Sequence, residues 1–187
     1  MPRNIEIKAR VESLQALAAR AAALASAGPT EIEQDDTFFR CDAGRLKLRA
    51  FPDGRGELIF YRRPNQRGPK ESFYLCAATS TPDALRESLT LAYGQVGRVR
   101  KQRTLYLAGR TRIHLDRVEG LGDFLELEVV LGEAEGVEAG LKEAQALMQS
   151  LDIQQSQLVE AAYVDLLAEQ TAAHPARRNK RAVRETV

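Results

Sequence analysis

Several short segments of this chain alternate polar and apolar residues at the two-residue period of a β-strand. In Asn4-Ile5-Glu6-Ile7-Lys8, the isoleucines share one face and Asn4, Glu6 and Lys8 share the other. Arg45, Lys47 and Arg49 alternate with Leu46 and Leu48. Lys101 and Arg103 share a face, as do Arg110, Arg112, His114 and Asp116, and Glu126 and Glu128 lie opposite Leu125, Leu127 and Val129. With Gly, Pro and Asp as punctuation, the pattern predicts strands over 3–10, 30–41, 45–51, 57–63, 70–77, 96–107, 111–118 and 123–131. Helices are predicted over 12–27, 81–93, 137–151 and 157–169. Ser13 is the expected cap of the first, which stops at Gly28-Pro29; Thr81 caps the second, with Pro82 at its first position. Strands joined largely by hairpins, with helices at the periphery, predict an α+β fold: an eight-stranded antiparallel β-barrel with helices packed on its outside.

The polar faces change the picture. A single Arg/Lys strand is ordinarily a solvated face. Here the pattern recurs on at least five strands. If the apolar faces pack under helices, the charged faces line the inside of the barrel. Charge in a lumen is costly unless it is paired or holds a charged ligand. Arg and Lys suit a polyanion such as phosphate. Glu6, Glu126 and Glu128 would repel that anion, but they suit a hard divalent cation, Mg²⁺ or Mn²⁺, that bridges to it. Bases for phosphate and acids for metal are the parts of metal-assisted phosphoryl transfer.

Composition adds boundaries. The 187 residues, 44% hydrophobic and 28% charged, fit one globular domain over residues 1–170. Residues 171–187, with Arg177, Arg178, Lys180, Arg181 and Arg184, read as a disordered basic tail. A net charge of +1 argues against general nucleic-acid binding. Cys41 and Cys76 have no metal-type spacing and read as inert thiols in a reducing cytoplasm. His114 reads as a hydrogen-bonded packing residue rather than a ligand. No apolar run is long enough to span a membrane.

Taken in order, these segments resemble the CYTH superfamily, or triphosphate tunnel metalloenzymes, over about residues 3–168. The family's Glu-x-Glu-x-Lys opening is similar to Asn4-Ile5-Glu6-Ile7-Lys8, with Asn4 in place of the first glutamate. Leu46-Lys47-Leu48-Arg49, Tyr61-Arg62-Arg63-Pro64, Lys101-x-Arg103, Arg112 to Asp116, Gly122 to Glu128 and Tyr163 to Leu167 resemble its later elements. The resemblance implies a barrel open at both ends with triphosphate inside. It implies phosphate contacts from Lys8, Lys47, Arg49, Arg62, Lys70, Lys101, Arg103 and Arg112, and metal contacts from Glu6, Glu126, Glu128 and Asp116. Lys8, Glu6 and Arg49 are the expected catalytic residues. The expected partner is a small triphosphate compound, with no specific nucleic acid, and a homodimer is left open. Three activities fit. One is a metal-dependent triphosphatase, which asks least of the site; the second is an adenylyl cyclase releasing cyclic AMP and pyrophosphate. The third is a non-catalytic polyphosphate- or nucleotide-binding module. Phe38, Phe39 and Tyr61 are candidates to stack on a base.

Overall fold

The computed structural model describes residues 2–173. In chain order the elements are β1 (Arg3–Arg10), α1 (Leu14–Leu24), β2 (Ala27–Phe39), β3 (Arg45–Ala50), β4 (Gly56–Arg62), β5 (Lys70–Thr79), α2 (Pro82–Tyr93), β6 (Gln95–Ala108), β7 (Thr111–Val118), β8 (Gly122–Leu131), α3 (Val137–Ser150) and α4 (Tyr163–Ala173). The eight strands close in the order β1-β5-β4-β3-β2-β6-β7-β8, and every pairing is antiparallel. Among the described residues, no helix is long and apolar enough to cross a membrane.

The alternation becomes a two-sided wall. Ile5, Ile7, Ile113, Leu115, Leu125, Leu127 and Val129 point outward and are buried under Leu17 and Ala21 of α1 and Ala144 and Met148 of α3. Truncating one of these, Leu127 for instance, would cost about 2–5 kcal/mol through lost burial and the cavity left behind. Gly140 lets α3 sit close, because a Cβ there would come within 2.7 Å of Ile5 Cγ1.

A second apolar cluster fills one end of the barrel. Phe38, Val99, Val118 and Phe124 meet Ala162, Tyr163 and Val164 at the start of α4. Gly97 permits that approach, since a Cβ would stand 2.5 Å from Val164 Cγ2. The rings of Phe124 and Tyr163 pack edge to face at 4.9 Å. The barrel is therefore plugged at this end rather than open at both.

Other boundaries shift for local reasons. Ser13 caps α1 as expected, accepting from the Ala16 amide at 3.3 Å. The helix stops at Leu24 because Ser26 N–H and Oγ–H both donate to the Leu107 carbonyl, drawing the chain into β2 three residues before its expected start. Pro82 opens α2, but Thr81 makes no side-chain cap. The fourth helix begins at Tyr163, not near 157. Leu158 bridges to Ala9, and the Val159 amide donates to the Lys8 carbonyl at 2.9 Å, so this segment crosses the barrel end in extended form. Helix α4 runs to Ala173, three residues into the segment assigned to the tail, and the remainder of that segment lies outside the described residues.

Candidate active site in the barrel lumen

The inward faces of the strands enclose a cavity of about 350 Å³, near the low end for small-molecule sites. Lys8, Lys47, Arg49, Arg63, Lys101, Arg103 and Arg112 line it with Glu6, Asp36, Glu57, Glu126 and Glu128, so seven bases face five acids. The surplus favours an anionic occupant.

The bases are organised by two buried carboxylates. Asp36, 2% exposed, accepts from Lys47 Nζ at 2.7 Å and from Arg49 Nε and Nη2 at 2.8 and 2.9 Å. Asp116, fully buried, accepts from Lys101 Nζ at 3.0 Å, from Arg103 Nε and Nη2 at 2.6 Å each, and from the Tyr163 hydroxyl at 3.0 Å. Each Lys-x-Arg pair is thus held by one aspartate on a neighbouring strand. Burial would raise both carboxyls. The Arg49 and Lys47 charges instead hold Asp36 far below its ordinary value, and Arg103 and Lys101 bring Asp116 down to about 2. Burial lowers the Lys47 ammonium to about 8, helped by the nearby Arg49 charge and opposed by Asp36.

Lys8 lies deep, beside the plug. Its Nζ stands 3.2 Å from Glu126 Oε1, 3.2 Å from the Ala161 carbonyl and 4.0 Å from the Tyr163 ring centre. Burial pushes it below the usual lysine value, with Glu126 pulling the other way. Burial alone would raise the Glu126 carboxyl, but Lys8, Lys101 and Arg103 together hold it well below its ordinary value.

Among the described residues, three metal-type side chains converge: His114, Glu126 and Glu128, with ligand atoms all within 4.8 Å of one another. Antiparallel pairing sets this up, because His114 lies opposite Glu126 and Arg112 opposite Glu128. Glu6 lies opposite Glu128 on the other side, facing the lumen, with Arg63 Nε 3.5 Å away. Burial, and next the Arg103 charge, push His114 well below its ordinary value, so the imidazole is neutral.

Of the predicted residues, Glu6, Lys8, Lys47, Arg49, Lys101, Arg103, Arg112, Glu126 and Glu128 line the cavity. Three do not. Arg62 points to the outer wall, its guanidinium 5.9 Å from the Phe60 ring and 5.2 Å from the Phe73 ring; Arg63 takes the inward place. Lys70 stands opposite Glu6 but is buried at the edge, donating to the Gln66 carbonyl at 3.2 Å, and burial with the Arg63 charge lowers it to about 8. Asp116 faces inward, where both its oxygens accept from Lys101, Arg103 and the Tyr163 hydroxyl. Of the candidate stacking residues, Phe38, which is also part of the plug, and Tyr61 line the cavity, joined there by Tyr74, and Phe39 does not. His114 is no satisfied packing residue, since its buried Nδ1 has no hydrogen-bond partner. Asp36, Arg63 and Tyr163 were not singled out from the sequence as site residues. Inward parity with Gln34 was the available signal for Asp36.

Comparison with known proteins bears on the fold that carries this site. A family model described as the CYTH domain matches residues 2–163. A protein named adenylate cyclase CyaB from Aeromonas hydrophila is 27% identical over 170 residues, covering 86% of each chain. The PH1012 protein from Pyrococcus horikoshii superposes with a TM-score of 0.78 at 24% identity, over 87% of this chain and 98% of its own. The Hippeastrum protein HpAC1, reported to have a dominant triphosphatase activity, superposes at 0.62 with 19% identity, over 89% of this chain and 96% of its own. At such identities the structural matches speak for the fold alone. The family match, spanning nearly the whole barrel, makes this chain a member of the CYTH domain family.

Proposed function

We propose that this protein is a divalent-metal-dependent triphosphatase that binds the triphosphate of an inorganic or organic substrate inside the barrel. The observation that carries the reading is the pair of aspartate-clamped Lys-x-Arg sets that share one small cavity with Glu126 and Glu128. Lys47, Arg49, Lys101, Arg103 and Arg112 grip phosphate oxygens, and fixed guanidinium forks suit this because their orientation needs no rearrangement during the reaction. Arg63 is added to that set, and Arg62 is not part of it.

Glu126 and Glu128, with Glu6 beside them, have the hard oxygen donors that Mg²⁺ or Mn²⁺ takes. When bound there, such a cation would neutralise phosphate charge and order the triphosphate chain. Glu6 orients a water against the terminal phosphorus. The new P–O bond forms as the bridging P–O bond breaks, the attacking water gives a proton to the Glu6 carboxylate, and the leaving diphosphate takes the electron pair. Arg49 balances charge on the transferred group, and Lys8 contacts phosphate from the closed end of the lumen. Asn4 supplies a neutral oxygen where a carboxylate would have stood, so this side of the lumen carries one negative charge fewer.

The Aeromonas relative's name favours a second reading, in which ATP's own 3′-hydroxyl attacks its α-phosphorus and expels pyrophosphate. Phosphorus NMR of the protein incubated with Mg²⁺ or Mn²⁺ and either ATP or inorganic triphosphate separates the two. Orthophosphate from both compounds supports the triphosphatase. Cyclic AMP with pyrophosphate from ATP, and intact inorganic triphosphate, would replace it with the cyclase. No turnover of either would leave a binding module.

A further inference from the structure

Three side chains from two adjacent strands meet at one wall of the lumen. His114 comes from β7, and Glu126 and Glu128 come from β8, with an atom of each within 4.8 Å of the others. Glu126 is already engaged by Lys8 and Arg103. Glu128 meets Arg112 through Oε2 at 3.2 Å, while its Oε1 faces His114 Nδ1 at 3.7 Å, beyond hydrogen-bond range. His114 is 4% exposed, and its buried Nδ1 has no partner. A buried imidazole nitrogen left without a partner costs free energy unless something not made of protein fills the gap. The strands that carry it are rigid and in register, so the gap is built into the wall.

We infer that His114 is a direct metal ligand, which makes this a mixed nitrogen–oxygen site selective for first-row transition cations such as Mn²⁺ over Mg²⁺. The inference rests on the metal-dependent reading above and adds the identity of the cation. Carboxylate oxygens alone serve Mg²⁺ and Mn²⁺ alike. Mg²⁺ is hard, demands near-ideal octahedral oxygen surroundings and keeps its waters, so an imidazole adds little to its binding. Imidazole nitrogen is softer and favours transition ions. Asn4 works in the same direction, because it leaves fewer anionic oxygens to hold a hard cation.

The test is electron spin-echo spectroscopy of the full-length protein loaded with Mn²⁺, alone and with inorganic triphosphate, together with competition by Mg²⁺. The expected result is ¹⁴N modulation from a directly bound imidazole that disappears in His114→Ala. That variant should bind Mn²⁺ at least about tenfold more weakly while its Mg²⁺ affinity changes little. The wild-type spectrum alone decides the ligand, so a poorly folding variant leaves the test intact. Mn²⁺ bound without nitrogen modulation, or equal loss of both metals in the variant, overturns the inference and leaves the metal-dependent reading standing. Failure of wild type to bind either metal overturns both.

Discussion

Replacing Asp36 by Asn removes one charge from a buried trio and leaves the rest of the wall intact. In the native barrel both Asp36 oxygens are engaged, at 2.7 to 2.9 Å, by Lys47 and Arg49, whose side chains are 14% and 13% exposed. Asn offers one acceptor oxygen to two cations that are already desolvated. Removing one partner of a buried ion pair costs about 3–5 kcal/mol. For a chain of this size each kcal/mol moves Tm by about 2–4 °C, so the ligand-free variant should melt on the order of 10 °C lower. Lys47, already lowered to about 8, can relieve part of the strain by losing its proton, so the deficit should be smaller at pH 9 than at pH 7. Asp36 is a depressed carboxyl. Its stabilisation is complete above its unfolded pKa near 3.8 and is lost as pH falls toward its much lower folded value, so the two proteins should converge in acid. Inorganic triphosphate supplies the missing negative charge, and should therefore raise the variant's Tm more than the wild type's. Scanning calorimetry with and without triphosphate measures all of this. A ligand-free Asp36→Asn protein melting within a degree or two of wild type would refute the clamp.

Other outcomes follow from the same wall. Arg63→Ala should raise KM for a triphosphate about ten- to a hundredfold through loss of a charged hydrogen bond, whereas Arg62→Ala should leave KM alone and cost only about 0.5–1 kcal/mol of cation–π stability in urea melts. Equal effects of the two on KM would mean the assigned parity of β4 is wrong. Glu128→Gln should lower the metal-dependent rate about a hundredfold with an unchanged circular dichroism spectrum; an unchanged rate at saturating metal removes Glu128 from the site. Lys47 carries its charge below about pH 8 and sheds it above, so KM should climb as pH rises past 8, and a flat KM to pH 9.5 would contradict its phosphate role. The linked stability runs the other way. A depressed lysine binds fewer protons folded than unfolded between 8 and 10.5, so the ligand-free protein should gain stability across that window.

The barrel was legible because its lumen inverts the usual rule. Polar residues at a two-residue period, repeated on strand after strand, leave only an inward charged face once helices cover the apolar one. Arg45-Leu46-Lys47-Leu48-Arg49 shows this in five residues. Parity failed where the pattern was absent. Leu58-Ile59-Phe60-Tyr61 is apolar throughout, so nothing local says that Ile59 and Tyr61 face the lumen, or that Arg63 rather than Arg62 follows them inward. The parity of Asp116 was legible, but its engagement by Arg103 directly opposite was not, because it depends on the register in which β6 pairs with β7. Asp36 was hidden among Glu31, Glu33 and Asp35, which differ from it only in the side of the strand they occupy. The plug was illegible for another reason. It depends on residues 158–164 meeting Lys8, Ala9 and Gly97, contacts between parts of the chain that no local pattern relates.

The central claim is that a triphosphate is held inside the barrel between the two clamped Lys-x-Arg pairs. A crystal structure of the protein grown with inorganic triphosphate and Mn²⁺ tests it most directly. The account predicts phosphate density in contact with Arg49 and Arg103, whose strands flank β2, and a metal against Glu126 and Glu128. A lumen filled only with water, with triphosphate on the outer surface or absent at saturating concentration, would contradict it.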